Sequence, residues 1–94
     1  MKYTLDYTSS FKKQYKKAKK QGKDLRKLYE VIEKLANGKE LELKYRNHEL
    51  ITDKKYINCK ECHIEPDWLL IYQIKDKELI LLIFSIGSHS ELFK

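Results

Sequence analysis

His48, His63 and His89 are the only histidines of this 94-residue chain, and each sits among groups that handle protons or phosphates. The three stretches read Lys44-Tyr45-Arg46-Asn47-His48-Glu49-Leu50, Glu61-Cys62-His63-Ile64-Glu65-Pro66-Asp67-Trp68 and Gly87-Ser88-His89-Ser90-Glu91-Leu92-Phe93. An unperturbed imidazole titrates at about pH 6.5, so it both gives and takes protons near neutrality. In a small basic protein, such a set predicts acid–base chemistry on a polyanion, with no metal and no cofactor. Metal-free cleavage of RNA needs a base for the ribose 2′-OH, cations for the phosphate oxygens and an acid for the departing 5′-oxygen. Histidine and a carboxylate suit the proton transfers, each contributing roughly 10²–10⁴ in rate. Arg and Lys suit the phosphate. Trp68 and Phe93 offer rings on which an unpaired base can stack; packing against the sheet rim is the plainer role for Trp68.

Charge supports a polyanionic partner. Residues 1–40 carry 12 Lys and Arg against 5 Asp and Glu, a net of +7, whereas residues 41–94 carry 8 against 9, a net of −1. Lys12, Lys13, Lys16, Lys17, Lys19 and Lys20 crowd a segment with no acid between Asp6 and Asp24. Such a block concentrates polyanions, nucleic acid first among them; a solvated helix face is the bland alternative. Candidate RNA contacts are Lys12, Lys13 and Lys16 here, and Lys44, Arg46, Lys60 and Trp68 around the histidines. Glu61 and Glu65 are expected to be solvated or paired with lysines.

Cys59 and Cys62 form a C-x-x-C, the spacing of half a zinc site or a redox pair. Their surroundings look extended, and in a strand positions i and i+3 face opposite ways, so the sulfurs should diverge. Two reduced structural thiols are the expectation.

The elements that must position these groups follow from periodicity. Tyr3 to Tyr7 alternates as a first strand. Thr8-Ser9-Ser10 supplies N-cap candidates for a helix over 9–20, with Phe11, Tyr15 and Ala18 on one stripe. Asp24 can cap a second helix carrying Leu25, Leu28, Tyr29, Ile32, Leu35 and Ala36, which Asn37-Gly38 ends. Residues 39–55 lack periodicity and read as a long functional loop. Strands are predicted near 56–64, 68–75 and 78–86, with turns at Pro66-Asp67 and Lys75-Asp76-Lys77. The run Leu79 to Phe84 is apolar on both faces, which predicts the central strand. The order β-α-α-β-β-β implies an α+β fold, two N-terminal helices on one face of a mainly antiparallel twisted sheet. The 41% hydrophobic content suffices for one modest core, so residues 1–94 are expected to be a single domain. No apolar run approaches the roughly 20 residues of a membrane span. Nor do the first residues show a signal peptide, which points to the cytoplasm.

In these three histidine-bearing blocks, and in element order, the chain resembles the YafQ-like branch of the RelE/ParE toxin superfamily. The resemblance implies a RelE-like fold and a toxin of a type II toxin–antitoxin pair that cuts mRNA in the ribosomal (30S) A site. It also implies a cognate antitoxin, typically a ribbon-helix-helix protein. The positions matching the family's active site are His48, His63, Asp67, His89 and Phe93, with Trp68 beside them. In that scheme Asp67 is the base and His89 the acid, though the two labels are exchangeable because coupled groups do not titrate as individuals. One departure stands out: relatives usually carry an arginine two residues before the Gly of Gly87-Ser88-His89, where this chain has Ser85; either Arg46 or Lys60 compensates, or the chain is a weak nuclease. Two alternatives follow: a non-enzymatic ParE-like toxin that acts by binding, and a zinc module built from Cys59, Cys62 and His63.

Overall fold

Thr8 starts the first helix and pins it. In the computed structural model, which describes residues 1–51 and 53–93, Thr8 Oγ1 accepts the amide of Phe11 at 3.0 Å and its hydroxyl donates to the carbonyl of Phe84 at 2.6 Å. A cap of this kind contributes about 1 kcal/mol, and here it also ties helix α1 (Ser9–Lys20) to the sheet. Asp24 caps α2 (Leu25–Ala36) through the amide of Arg26 at 3.1 Å. Asn37 and Gly38 end it, with Gly38 at φ 73 in the left-handed region open to glycine.

The sheet contains β1 (Thr4–Tyr7), β2 (His48–Glu49), β3 (Lys60–Glu65), β4 (Trp68–Lys75) and β5 (Ile80–Gly87), in the order β1-β5-β4-β3-β2. Only β1 and β5 run parallel; the other three pairings are antiparallel. The two long helices pack on one face, as the element order predicts. The middle strand, however, is β4 rather than β5. A fifth strand, β2, extends the sheet beyond β3 and shifts its centre. β5 still lies between β1 and β4, which accounts for its apolar character on both sides.

Alternation along the strands sends side chains into two separate clusters. Cys62, Ile64, Trp68, Leu70, Tyr72, Leu81, Ile83 and Ile86 pack beneath α1 and α2. Leu69 and Ile71 point the other way and pack with Tyr56, Cys59 and Leu92, flanked by Leu50, Phe84 and Phe93. Leu92 belongs to a final single-turn helix, α3 (His89–Leu92), which closes over this second face.

The segment from 39 to 59 is where local pattern is a poor guide. It contains a 3₁₀ turn at Leu43–Tyr45, the two-residue β2 and a second 3₁₀ turn at Lys54–Tyr56. The strand expected from 56 begins only at Lys60. Tyr56 is instead a buried turn residue, and Asn58 adopts φ 62, which breaks extension. Leu79, expected within the last strand, is a turn residue at φ 55.

Candidate active site

β2 places His48. Its residue partner across the pairing with β3 is Glu61, which in turn faces Ile71 on β4, and Ile71 faces Ser85 on β5. Residues opposite one another in antiparallel strands share a face. His48, Glu61, Ile71 and Ser85 therefore form one cross-strand row on the face away from the helices. A second row, His63, Leu69 and Gly87, runs beside it.

Glu61 is the residue that the sequence reading missed. It is 3% exposed, and its Oε1 lies 3.4 Å from Nε2 of both His48 and His63. The two rings sit 6.4 Å apart, centroid to centroid. His48 Nδ1 lies 2.8 Å from the carbonyl of Arg46, and His63 Nδ1 lies 3.2 Å from that of Pro66. Carbonyl oxygens only accept, so each Nδ1 is placed to donate to one, while each Nε2 faces the Glu61 carboxylate. The signal for this arrangement was in the sequence, since Glu61 and His63 share a strand face at i and i+2. What buries Glu61 is a second histidine from another segment.

The contacts continue along the sheet. Pro66 and Asp67 form the β3–β4 turn just beyond a bulge between His63 and Glu65. Asp67 Oδ1 accepts the backbone amide of His89 at 2.8 Å, joining this turn to α3. Among the described residues, Oδ2 has no hydrogen-bond partner. The rings of His89 and Phe93 approach to 4.8 Å, and Phe93 meets Tyr56 edge-on at 5.4 Å. His48, His63, Asp67, His89 and Phe93 are thus linked by one chain of contacts that runs through Glu61 and the 66–67 turn.

α3 is heavily braced for so short a helix. Ser88 and Glu91 form a reciprocal capping box, with Ser88 N–H donating to Glu91 Oε1 at 2.8 Å. Lys17 of α1 pairs with Glu91 Oε2, and this ion pair, with the Ser88 amide, holds the Glu91 carboxyl down to about 2. The Tyr56 hydroxyl donates to the carbonyl of Leu92 at 2.8 Å.

The remaining sequence candidates separate. Trp68 is 2% exposed beneath the helices, with Lys23 over its ring, so it has no face to offer a base. Lys60 shares the strand parity of Cys62 and Ile64, opposite His63, and borders a different cleft with Tyr3 and Asp76; it does not reach the histidine face. Lys12 and Lys16 line an apolar groove on the helices with Tyr15 and Tyr29, so any RNA they hold is remote from the imidazoles. Lys13 is exposed on α1. Lys44 and Arg46 border a cleft with His63. Glu65 pairs with Lys27 at 3.0 Å, as expected of it.

The thiols part as expected, Cys59 into the outer cluster and Cys62 beneath the helices, although Cys59 lies just before β3 rather than in it. Burial pushes the Cys62 thiol up to about 12. Cys59, Cys62 and His63 consequently do not converge, which removes the zinc-module alternative. Among the described residues, no group of three or more His, Cys, Asp or Glu side chains is arranged to hold a metal ion.

Comparison with known proteins places this geometry. Residues 3–94 match the family described as the bacterial toxin of type II toxin–antitoxin system, YafQ. The mRNA interferase toxin YafQ of Escherichia coli (strain B / BL21-DE3) is 36% identical over 90 residues, covering 95% of this chain and 94% of that protein. A metal-bound toxin from Helicobacter pylori superposes with a TM-score of 0.88 at 42% identity, over 97% of this chain and 99% of the other. A chain of the E. coli DinJ-YafQ toxin–antitoxin complex does so with a TM-score of 0.87 at 30% identity, over the whole of both chains.

Proposed function

The chain belongs to the YafQ family of type II toxin–antitoxin toxins, and on that premise we propose that it is an endoribonuclease acting as a single domain on mRNA at the ribosomal A site. The observation that carries this reading is the contact chain from His48 to Phe93, in which Asp67 Oδ1 accepts the His89 amide at 2.8 Å. It links a carboxylate and three imidazoles from separate segments of the chain. The relative named as an mRNA interferase supports the same activity.

In this mechanism Asp67 takes the proton of the ribose 2′-OH through Oδ2. The 2′-oxygen attacks phosphorus, the bond to the 5′-oxygen breaks, and His89 protonates that leaving oxygen. The products are a 2′,3′-cyclic phosphate and a 5′-hydroxyl. His63 and His48, held by Glu61, stabilise the phosphate as charge builds on it. Phe93, packed against His89, offers its ring to a neighbouring base. Exposed α1 lysines add salt-sensitive attraction for ribosomal RNA.

The toxin would be held in check in the cytoplasm by an antitoxin of ribbon-helix-helix type. The relative solved with DinJ supports an antitoxin partner.

The test is to map new mRNA 5′ ends after adding the protein to translating ribosomes. Wild type should generate them. His89→Ala and Asp67→Asn should not, while unfolding at the wild-type temperature. Full cleavage by a folded double mutant sinks the assignment.

A further inference from the structure

Among the described residues, the strand positions of the histidine face include no lysine or arginine. They are Glu61, His63, Leu69, Ile71, Ser85 and Gly87, while Lys60 points to the helix side. A phosphodiester laid over this face lies above buried Glu61 and beside Asp67, both of its own sign, and the repulsion grows where water is excluded. The transition state gathers still more negative charge on the non-bridging oxygens. Positive charge must therefore come from beside the sheet rather than from beneath the substrate.

One cleft can supply it. A cavity of about 310 Å³ is bordered by His63, by three cations, Lys27, Lys44 and Arg46, and by two carboxylates, Glu30 and Glu65. Lys27 is tied to Glu65 at 3.0 Å, and Lys44 lies 4.0 Å from Glu42. Among the described residues, no carboxylate lies within ion-pair distance of Arg46. The backbone there is unusual as well. Arg46 sits at φ 48, ψ 45, a left-handed conformation that costs a residue with a side chain and persists only where its surroundings impose it. In that conformation its carbonyl meets His48 Nδ1 at 2.8 Å. The next residue, Asn47, is anchored by the hydroxyl of buried Tyr72 at 2.7 Å.

We propose that Arg46 is the phosphate clamp of this enzyme. Its guanidinium grips the non-bridging oxygens of the scissile phosphate from the His63 side, filling a role that Ser85, at the centre of the face, cannot. A planar fork with two parallel donors suits those oxygens better than an ammonium does. One residue then does two jobs, its backbone aiming His48 and its side chain neutralising the transition state. The inference rests on the endoribonuclease reading above.

Single-turnover cleavage on mRNA-programmed ribosomes tests it with two variants. Arg46→Gly removes the guanidinium but keeps the left-handed turn, which glycine adopts freely, so His48 stays in place. We expect a loss of at least about 100-fold in kcat, with KM changed by less than about threefold. Arg46→Lys should recover part of that loss, by restoring charge without the fork. Wild-type kcat in Arg46→Gly, or a rise in KM alone, overturns the proposal; so does the same loss in Lys60→Ala with none in Arg46→Gly. If wild type itself makes no cuts, the endoribonuclease reading fails and the clamp falls with it.

Discussion

Replacing Glu61 with glutamine should loosen the site more than its distance from the scissile bond suggests. Glu61 Oε1 contacts two imidazole nitrogens at 3.4 Å, and the side chains of His63 and His48 are 16% and 49% exposed. These are ion-pair contacts, and such a pair contributes about 1 kcal/mol where it is mostly shielded from water, as at His63, and about half as much where water screens it, as at His48. Together they come to about 1.5 kcal/mol. Glutamine keeps the shape and removes the charge, so that amount should disappear from unfolding stability measured in urea at pH 7. If the same orientation is needed in the transition state, kcat falls about 10-fold. Single-turnover mRNA cleavage on programmed ribosomes reads the second effect. A variant within about 0.5 kcal/mol and about threefold of wild type would refute the idea that Glu61 organises the two histidines.

Asp67→Asn retains an oxygen for the His89 amide but cannot accept the 2′-OH proton; kcat should fall about 10²–10⁴-fold while the melting temperature holds. Glu91 has a folded pKa of about 2, below its ordinary 4.5, because of Lys17 and the Ser88 amide. Its contribution to stability is therefore complete above pH 4.5 and is lost as the pH falls from there toward 2, and urea midpoints should show that slope in wild type but a flatter one in Glu91→Gln. Leu92, 2% exposed, plugs α3 into the outer cluster. Leu92→Ala should cost about 2–5 kcal/mol in urea unfolding.

Much of the frame was legible from local pattern. Thr8, Asp24 and Asn37-Gly38 are caps whose chemistry depends on near neighbours alone, so both long helices lie where the sequence places them. Strand alternation separates Lys60 from His63 without any structure. β2 was not legible, because a two-residue strand has no period to read, and its existence depends on pairing with β3. Tyr56 looked like a strand residue, yet the left-handed turn at Asn58 and the pocket formed with Phe84 and Phe93 make it a buried turn residue. Trp68 carried the residue type of a stacking platform, and strand parity put it under the helices instead.

The residue types at the candidate site belong to the sequence: three imidazoles, the turn carboxylate of Asp67 and the ring of Phe93. Their meeting belongs to the tertiary structure. His48 and His63 come together because β2 pairs with β3 in one register, and a slip of β2 by one residue would send His48 to the opposite face. His89 is tied to the β3–β4 turn because the carboxylate of Asp67 accepts its amide. The same long-range pairing buries Glu61 between two histidines, whereas its immediate neighbours in the chain suggested a solvated acid. Local preferences extend over a few residues, and the burial and charge environment of this site arise from segments that only the folded sheet brings together.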